Sequence, residues 1–153
     1  MEKQYLTKQI PSKWPFSHGV VIKNPGTIII LAGQVAFDRH GANRQLVGPG
    51  DLAAQTRQAI QNIKTLMAQC GATLKDVVDL AAFMTDIDRF EEAGCAAMEY
   101  FTHPLPTLTL IGAKALAFPE LLIEICAVAV LPDHPGVKRG KAARKKASKK
   151  RRR

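Results

Sequence analysis

The chain has 153 residues, 46% of them hydrophobic, enough to build one domain with a real core. Its formal charge of +9 comes from 22 Lys and Arg against 13 acids, but eleven of those basic residues, and no acid, lie between Lys138 and Arg153. Removing them leaves eleven bases against 13 acids, so residues 1–137 carry about −2 and the folded part is not expected to be a basic nucleic-acid surface. Residues 1–10 mix charges with apolar residues and show no signal-peptide core, and the longest apolar stretches, Thr27–Ala32 and Leu121–Val130, are too short to span a bilayer. The expectation is a cytoplasmic protein with no membrane partner. Cys70, Cys95 and Cys126 are odd in number and fall in apolar periodic segments, so they read as small buried hydrophobes in a reducing compartment. No cysteine pair has ligand spacing and His18, His40, His103 and His134 are scattered, so no metal site is expected.

In chain order, His18–Lys23 and Thr27–Gln34 predict two strands forming a hairpin around Asn24-Pro25-Gly26. Residues 38–50 read as a polar loop with a short strand at Gln45–Val47. Asp51 predicts the cap of a long helix to Cys70, with Leu52, Ala59, Ile60, Ile63, Leu66, Met67 and Cys70 on its apolar side and Gly71 closing it. Val77–Thr85 predicts a third strand. Asp88 predicts the cap of a second helix to Phe101, with Phe90, Ala93, Ala97, Met98 and Phe101 on one stripe, stopped by Pro104 and Pro106. Thr107–Gly112 and Leu121–Val130 complete an α+β order of β-β-α-β-α-β-β with both helices on one sheet face. Ile28–Leu31 and Leu121–Val130 are apolar on both sides, and two helices cover one face only. The other face is expected to be buried by self-association, with ligand clefts between subunits.

Residues 11–131 carry a series of short motifs in order: Pro15-Phe16-Ser17-His18-Gly19, Ala32-Gly33-Gln34, Gln55-Thr56 through Asn62, and Cys70-Gly71-Ala72 through Asp76-Val77-Val78. Thr85-Asp86 through Phe90, Tyr100-Phe101, Pro106-Thr107-Leu108-Thr109 and Ile123–Ala129 continue it. Together these resemble the Rid family (RidA/YjgF/YER057c/UK114). The resemblance implies a chorismate-mutase-like fold, a homotrimer whose sheets form a central barrel, and three intersubunit clefts. It also implies cofactor-free hydrolysis of enamines and imines such as 2-aminoacrylate or 2-iminobutanoate to keto acids and ammonia. In such members an arginine forks onto the substrate carboxylate and a glutamate orients water.

Carried over by position, the resemblance makes Glu124 the catalytic residue and Phe16, Gly33, Gln34, Gly94, Leu108 and Thr109 substrate-binding. Leu108 stands where the family has its arginine, Phe16 lacks an aromatic hydroxyl, and Gly94 replaces a common asparagine. Losing the carboxylate partner predicts poor hydrolysis of the usual substrates and a diverged site suited to a larger or less charged compound. The run Leu121–Ala129 is similar to members that deaminate 2-aminomuconate, which suggests ancestry in catabolism.

Alternatives stand beside these readings. Glu124 is either a general base or half of an ion pair across the trimer contact, with Lys114 as partner; Gly33 and Gln34 line a pocket or merely end a strand; His18 is an acid–base group or structural. Residues 132–137 read as a linker and 138–153 as a disordered basic tail, which, tripled in a trimer, binds nucleic acid non-specifically or has no dedicated partner. The functional expectations are a diverged imine or enamine hydrolase binding a small molecule, an ordinary 2-iminobutanoate/2-iminopropanoate deaminase, or a non-catalytic trimeric regulator with nucleic-acid-contacting tails.

Overall fold

The computed structural model describes residues 1–7, 15–38 and 44–133; the expected basic tail and most of the expected linker lie outside this range. Its elements in chain order are β1 (Glu2–Leu6), β2 (Gly19–Lys23), β3 (Thr27–Gln34), α1 (Leu52–Gln69), β4 (Val77–Met84), α2 (Phe90–Ala97), β5 (Thr107–Gly112) and β6 (Ile123–Leu131). Single 3-10 turns at Leu74–Asp76 and Ile87–Arg89 lead into β4 and α2.

The α+β arrangement with two helices is as expected, but the strands pair differently. β2 joins β1, a strand the charge-mixed N-terminus did not announce, in a separate antiparallel pair. The expected β2–β3 hairpin does not form. After the turn at Asn24, whose φ is +51°, Gly26 N–H donates to Leu131 O at 3.1 Å, and β6 takes over the partner side of β3. That choice puts the doubly apolar β3 beside the doubly apolar β6. The four-stranded sheet runs β3-β6-β4-β5, antiparallel except for the parallel β4–β5 pair. Parallel neighbours need a crossover, and α2 supplies it. The Gln45–Val47 segment contributes only an isolated bridge from Leu46 to Phe37.

α1 follows its sequence pattern closely. Asp51 Oδ1 accepts the Ala54 N–H at 2.9 Å, and Gly71 follows the helix with φ +70°. Leu52, Ile60, Ile63 and Met67 from this helix meet Ile29, Leu80, Met84, Ile123 and Ile125 of the sheet in one core. α2 departs from its pattern. Its lead-in is capped by Asp86, not Asp88, and it ends at Ala97, where Glu99 and Tyr100 bond back to Ala96 and Ala97 and tighten the last turn.

The cysteine expectation is corrected. Cys70 and Cys95 are exposed and Cys126 half-buried, all as free thiols. Cys70 sits at the helix end, beyond the last turn packed on the sheet, and Cys95 is exposed on α2. Burial, and after it the Glu124 carboxylate, pushes the Cys126 thiol above its usual range, so it stays protonated.

A candidate site divided between the two faces of the sheet

Strand alternation divides the sheet into two surfaces. Ile123, Ile125, Ala127 and Ala129 of β6 point into the core, which leaves Glu124, Cys126 and Val128 on the opposite, open face. β3 alternates likewise, with Ile29 7% exposed on the core side and Ile28 and Ile30 56% and 76% exposed on the open one.

The open face carries the first part of the candidate site. Glu124 lies opposite Phe83 of β4 and against Gly33 of β3. A Cβ built on Gly33 would fall 1.7 Å from Glu124 Oε1, so the carboxylate occupies the space a side chain would need. Gly33 is therefore not simply a strand end: it admits the Glu124 side chain. The β3–β6 register slips between Leu31 and Gln34, and a bulge of this kind turns backbone groups away from the ladder. Gln34 is buried and its amide folds back on Ala32 O at 2.8 Å and Gly33 O at 3.2 Å. Within one chain Glu124 forms no ion pair with Lys114, so a pairing of the two would have to run between subunits. Thr109 is exposed on this side of β5, facing away from its neighbour Leu108.

The helix side carries the second part. A groove of about 820 Å³ opens between α2 and the β4–β5 strands, with Leu80, Ala82, Ile123 and Ile125 as its floor. Phe16, Gly94 and Leu108 line it; Gly33, Gln34, Thr109 and Glu124 do not. Phe16 is brought there by Ser17, which is buried: its hydroxyl donates to Leu105 O at 2.6 Å and its N–H to Pro106 O at 3.0 Å, stapling the segment to the start of β5. His18 stacks edge-on against Phe16 with centroids 5.3 Å apart, a packing contact that fits its structural reading. On α2, Glu91, Gly94, Cys95 and Met98 follow helical spacing and form the groove's outer wall.

Two buried polar residues of α1 hold both parts in place. Gln55 is fully buried; its amide donates to Gly48 O at 3.2 Å and Glu120 O at 3.0 Å, and its carbonyl accepts the Leu122 N–H at 2.8 Å. It thus fixes the chain immediately before Ile123 and Glu124. Asn62 donates to Val35 O at 2.8 Å and Phe37 O at 3.0 Å, pinning the chain that leaves Gly33-Gln34. Sequence reasoning quoted Gln55 and Asn62 as motif residues without giving them a task. The available signal was that both interrupt the apolar side of an amphipathic helix, where a polar side chain needs a dedicated partner. No group of three or more His, Cys, Asp or Glu that could hold a metal occurs among the described residues, and no described helix is long and apolar enough to cross a membrane.

With this geometry in view, the class of protein follows. The family model described as Endoribonuclease L-PSP matches residues 7–131. The chain belongs to this family, the Rid or YjgF/YER057c/UK114 proteins. It is 30% identical over 115 residues to a RutC family protein of Pyrococcus abyssi, a match covering 75% of this chain and 85% of the relative. Among solved structures it is similar to the Rid-family protein YyfB of Yersinia pestis, at 37% identity and a TM-score of 0.73, covering 86% of this chain and all of that one. It also resembles a YjgF/YER057c/UK114 member from Mycobacterium tuberculosis, at 31% identity and a TM-score of 0.60, over 85% of this chain and all of that one.

Proposed function

We propose that the protein is a diverged imine or enamine hydrolase of the Rid family, working without a cofactor, whose site is completed when copies of the chain assemble as a homotrimer. The observation that carries this reading is the division of the family-matched positions. Glu124 with Gly33 lies on the open face and Phe16, Gly94 and Leu108 lie in the helix-side groove, so one chain does not bring them to one substrate. A neighbouring copy seated on the open face joins the Glu124 side of one subunit to the groove of the next. The same seating buries Ile28 and Ile30, which the chain leaves in water at about 25 cal/mol per Å² of apolar surface.

The chemistry is that of a carboxylate beside an unsaturated C–N bond. Glu124 takes a proton from water as the water oxygen bonds to the imine carbon and passes it to the nitrogen; the hydroxyl proton of the resulting carbinolamine then moves through Glu124 to the same nitrogen as the C–N bond breaks, and the carbonyl compound and ammonia leave. Gly33 keeps room for that carboxylate and places backbone groups next to it. Leu108 supplies no fork for a substrate carboxylate, so small imino acids are poor substrates.

Ammonia release from freshly generated 2-iminobutanoate and 2-aminoacrylate tests this. Wild type is expected to be slow, Leu108→Arg to gain about tenfold or more from the restored charge-assisted contact, and Glu124→Ala added to Leu108→Arg to remove the gain. A wild type that hydrolyses 2-iminobutanoate rapidly contradicts the divergence, and a Leu108→Arg gain that survives loss of Glu124 contradicts its catalytic role.

A further inference from the structure

We propose that the groove between α2 and β4–β5 is the binding pocket of an uncharged, mainly hydrocarbon ligand of about aromatic-ring size or larger, and that it rejects carboxylates. The consequence that the hydrolysed imine or enamine itself carries no carboxylate rests on the functional reading above; the binding preference does not.

Charge decides the matter first. Among the described residues, no Lys, Arg or His lines the groove, and Glu91 is the one charged residue of that lining. An anion entering it loses water, gains no counter-ion from the described lining and meets the like charge of Glu91. The remaining polar lining is almost spent: Thr56 is buried, and its hydroxyl already donates to Leu52 O at 2.8 Å. Recognition therefore falls to apolar contact with Leu108, Phe101 and the strand floor.

Size points the same way. About 820 Å³ lies within the usual range for ligand pockets and is far more room than a two- to four-carbon imino acid fills. The extra width is local to α2. A Cβ built on Gly94 meets nothing within 4 Å, so the wall is open where Gly94 stands. Met98 and Leu110, 38% and 39% exposed, extend the apolar surface to the rim, and methionine adapts its shape to a ligand at little cost.

The test uses the full-length protein and the neutral fluorophore N-phenyl-1-naphthylamine, displaced by indole or by indole-3-carboxylate, two rings of similar shape that differ in charge. Saturable fluorophore binding is expected, with indole displacing it at least about tenfold more effectively than its carboxylate. Leu108→Arg is expected to reverse that order. Gly94→Phe fills the open wall and abolishes binding, and Met98→Lys, at an exposed rim position that tolerates a charge, narrows the preference if Gly94→Phe does not fold. Failure to bind the fluorophore, equal displacement by the two competitors, or binding unaltered by all the groove variants overturns the proposal. The two readings fail separately. A groove that prefers indole in a protein that hydrolyses no imine leaves the binding preference standing and removes the catalytic reading. A groove that prefers the carboxylate in an active hydrolase does the reverse.

Discussion

The two faces of the four-stranded sheet are built from similar residues and end in different states. On the helix side, Ile60, Ile63, Met67, Met84 and Ile123 are at most 1% exposed, closed over by α1 and α2 of the same chain. On the other side, Ile28 and Ile30 stand in water beside Glu124, Cys126 and Val128. Apart from the groove beside α2, the helix-side face completes itself and accounts for the stability of the single chain. The other is apolar and left open by the described residues, the state expected of a surface made for another copy. The same division runs through the candidate site, because whichever strand a functional residue sits on, its parity assigns it to the closed face or the open one.

The comparison predicts where substitutions bite. The largest effect is expected at the centre of the closed face: Ile63→Ala should cost about 2–5 kcal/mol in denaturant unfolding, through lost burial and the cavity left behind. A loss below about 1 kcal/mol would mean that the closed face is not the main source of stability. Gln55→Ala comes next. It strands the Leu122 N–H and the Gly48 and Glu120 carbonyls, at about 1–3 kcal/mol. It should also raise amide exchange at Leu122 more than along α1, which sets its task of fixing the start of β6 apart from a general weakening.

The smallest effect lies on the solvent side of the helix layer. Arg57 forks onto Glu99, with Nη2 to Oε1 at 2.6 Å and Nε to Oε2 at 2.9 Å, and these hydrogen bonds hold the Glu99 carboxyl below its ordinary range. A carboxyl whose folded pKa is depressed adds stability above its unfolded pKa and loses it as pH falls through the folded one. The pair is exposed, so Arg57→Ala should change stability slightly, flatten its decline on the acid side, and matter less in high salt. An acid-side decline unaltered by Arg57→Ala would place its origin elsewhere.

How much of this was legible in the sequence depended on how local the deciding interaction is. α1 announced itself because its cap, apolar period and terminal Gly71 all act within one segment, and β5 because Pro106 and Gly112 bracket it. The partner of β2 was not legible, since nothing near Asn24-Pro25-Gly26 reveals that β6, a hundred residues on, will claim β3. β1 was missed because Glu2–Leu6 mixes charges with apolar residues and has only one strand to pair with. The cysteines were misjudged by treating apolar neighbours in sequence as burial in space. In the site, the residues came from family-matched motifs, but their separation was available from parity alone: Leu108 and Thr109 are adjacent in a strand and must face opposite ways. What no local signal contained was the groove, which exists only once α2 has crossed from β4 to β5.

The central claim is that the open face is an interface between copies of this chain, and sedimentation equilibrium of the wild type and of Ile30→Asp tests it most directly. Ile30 is 76% exposed, so the substitution leaves the fold of the single chain intact, which circular dichroism can verify. A wild type that sediments as three chains and an Ile30→Asp variant that sediments as one, with unchanged secondary structure, is the predicted result. A monomeric wild type, or a trimer that Ile30→Asp leaves whole, would contradict it.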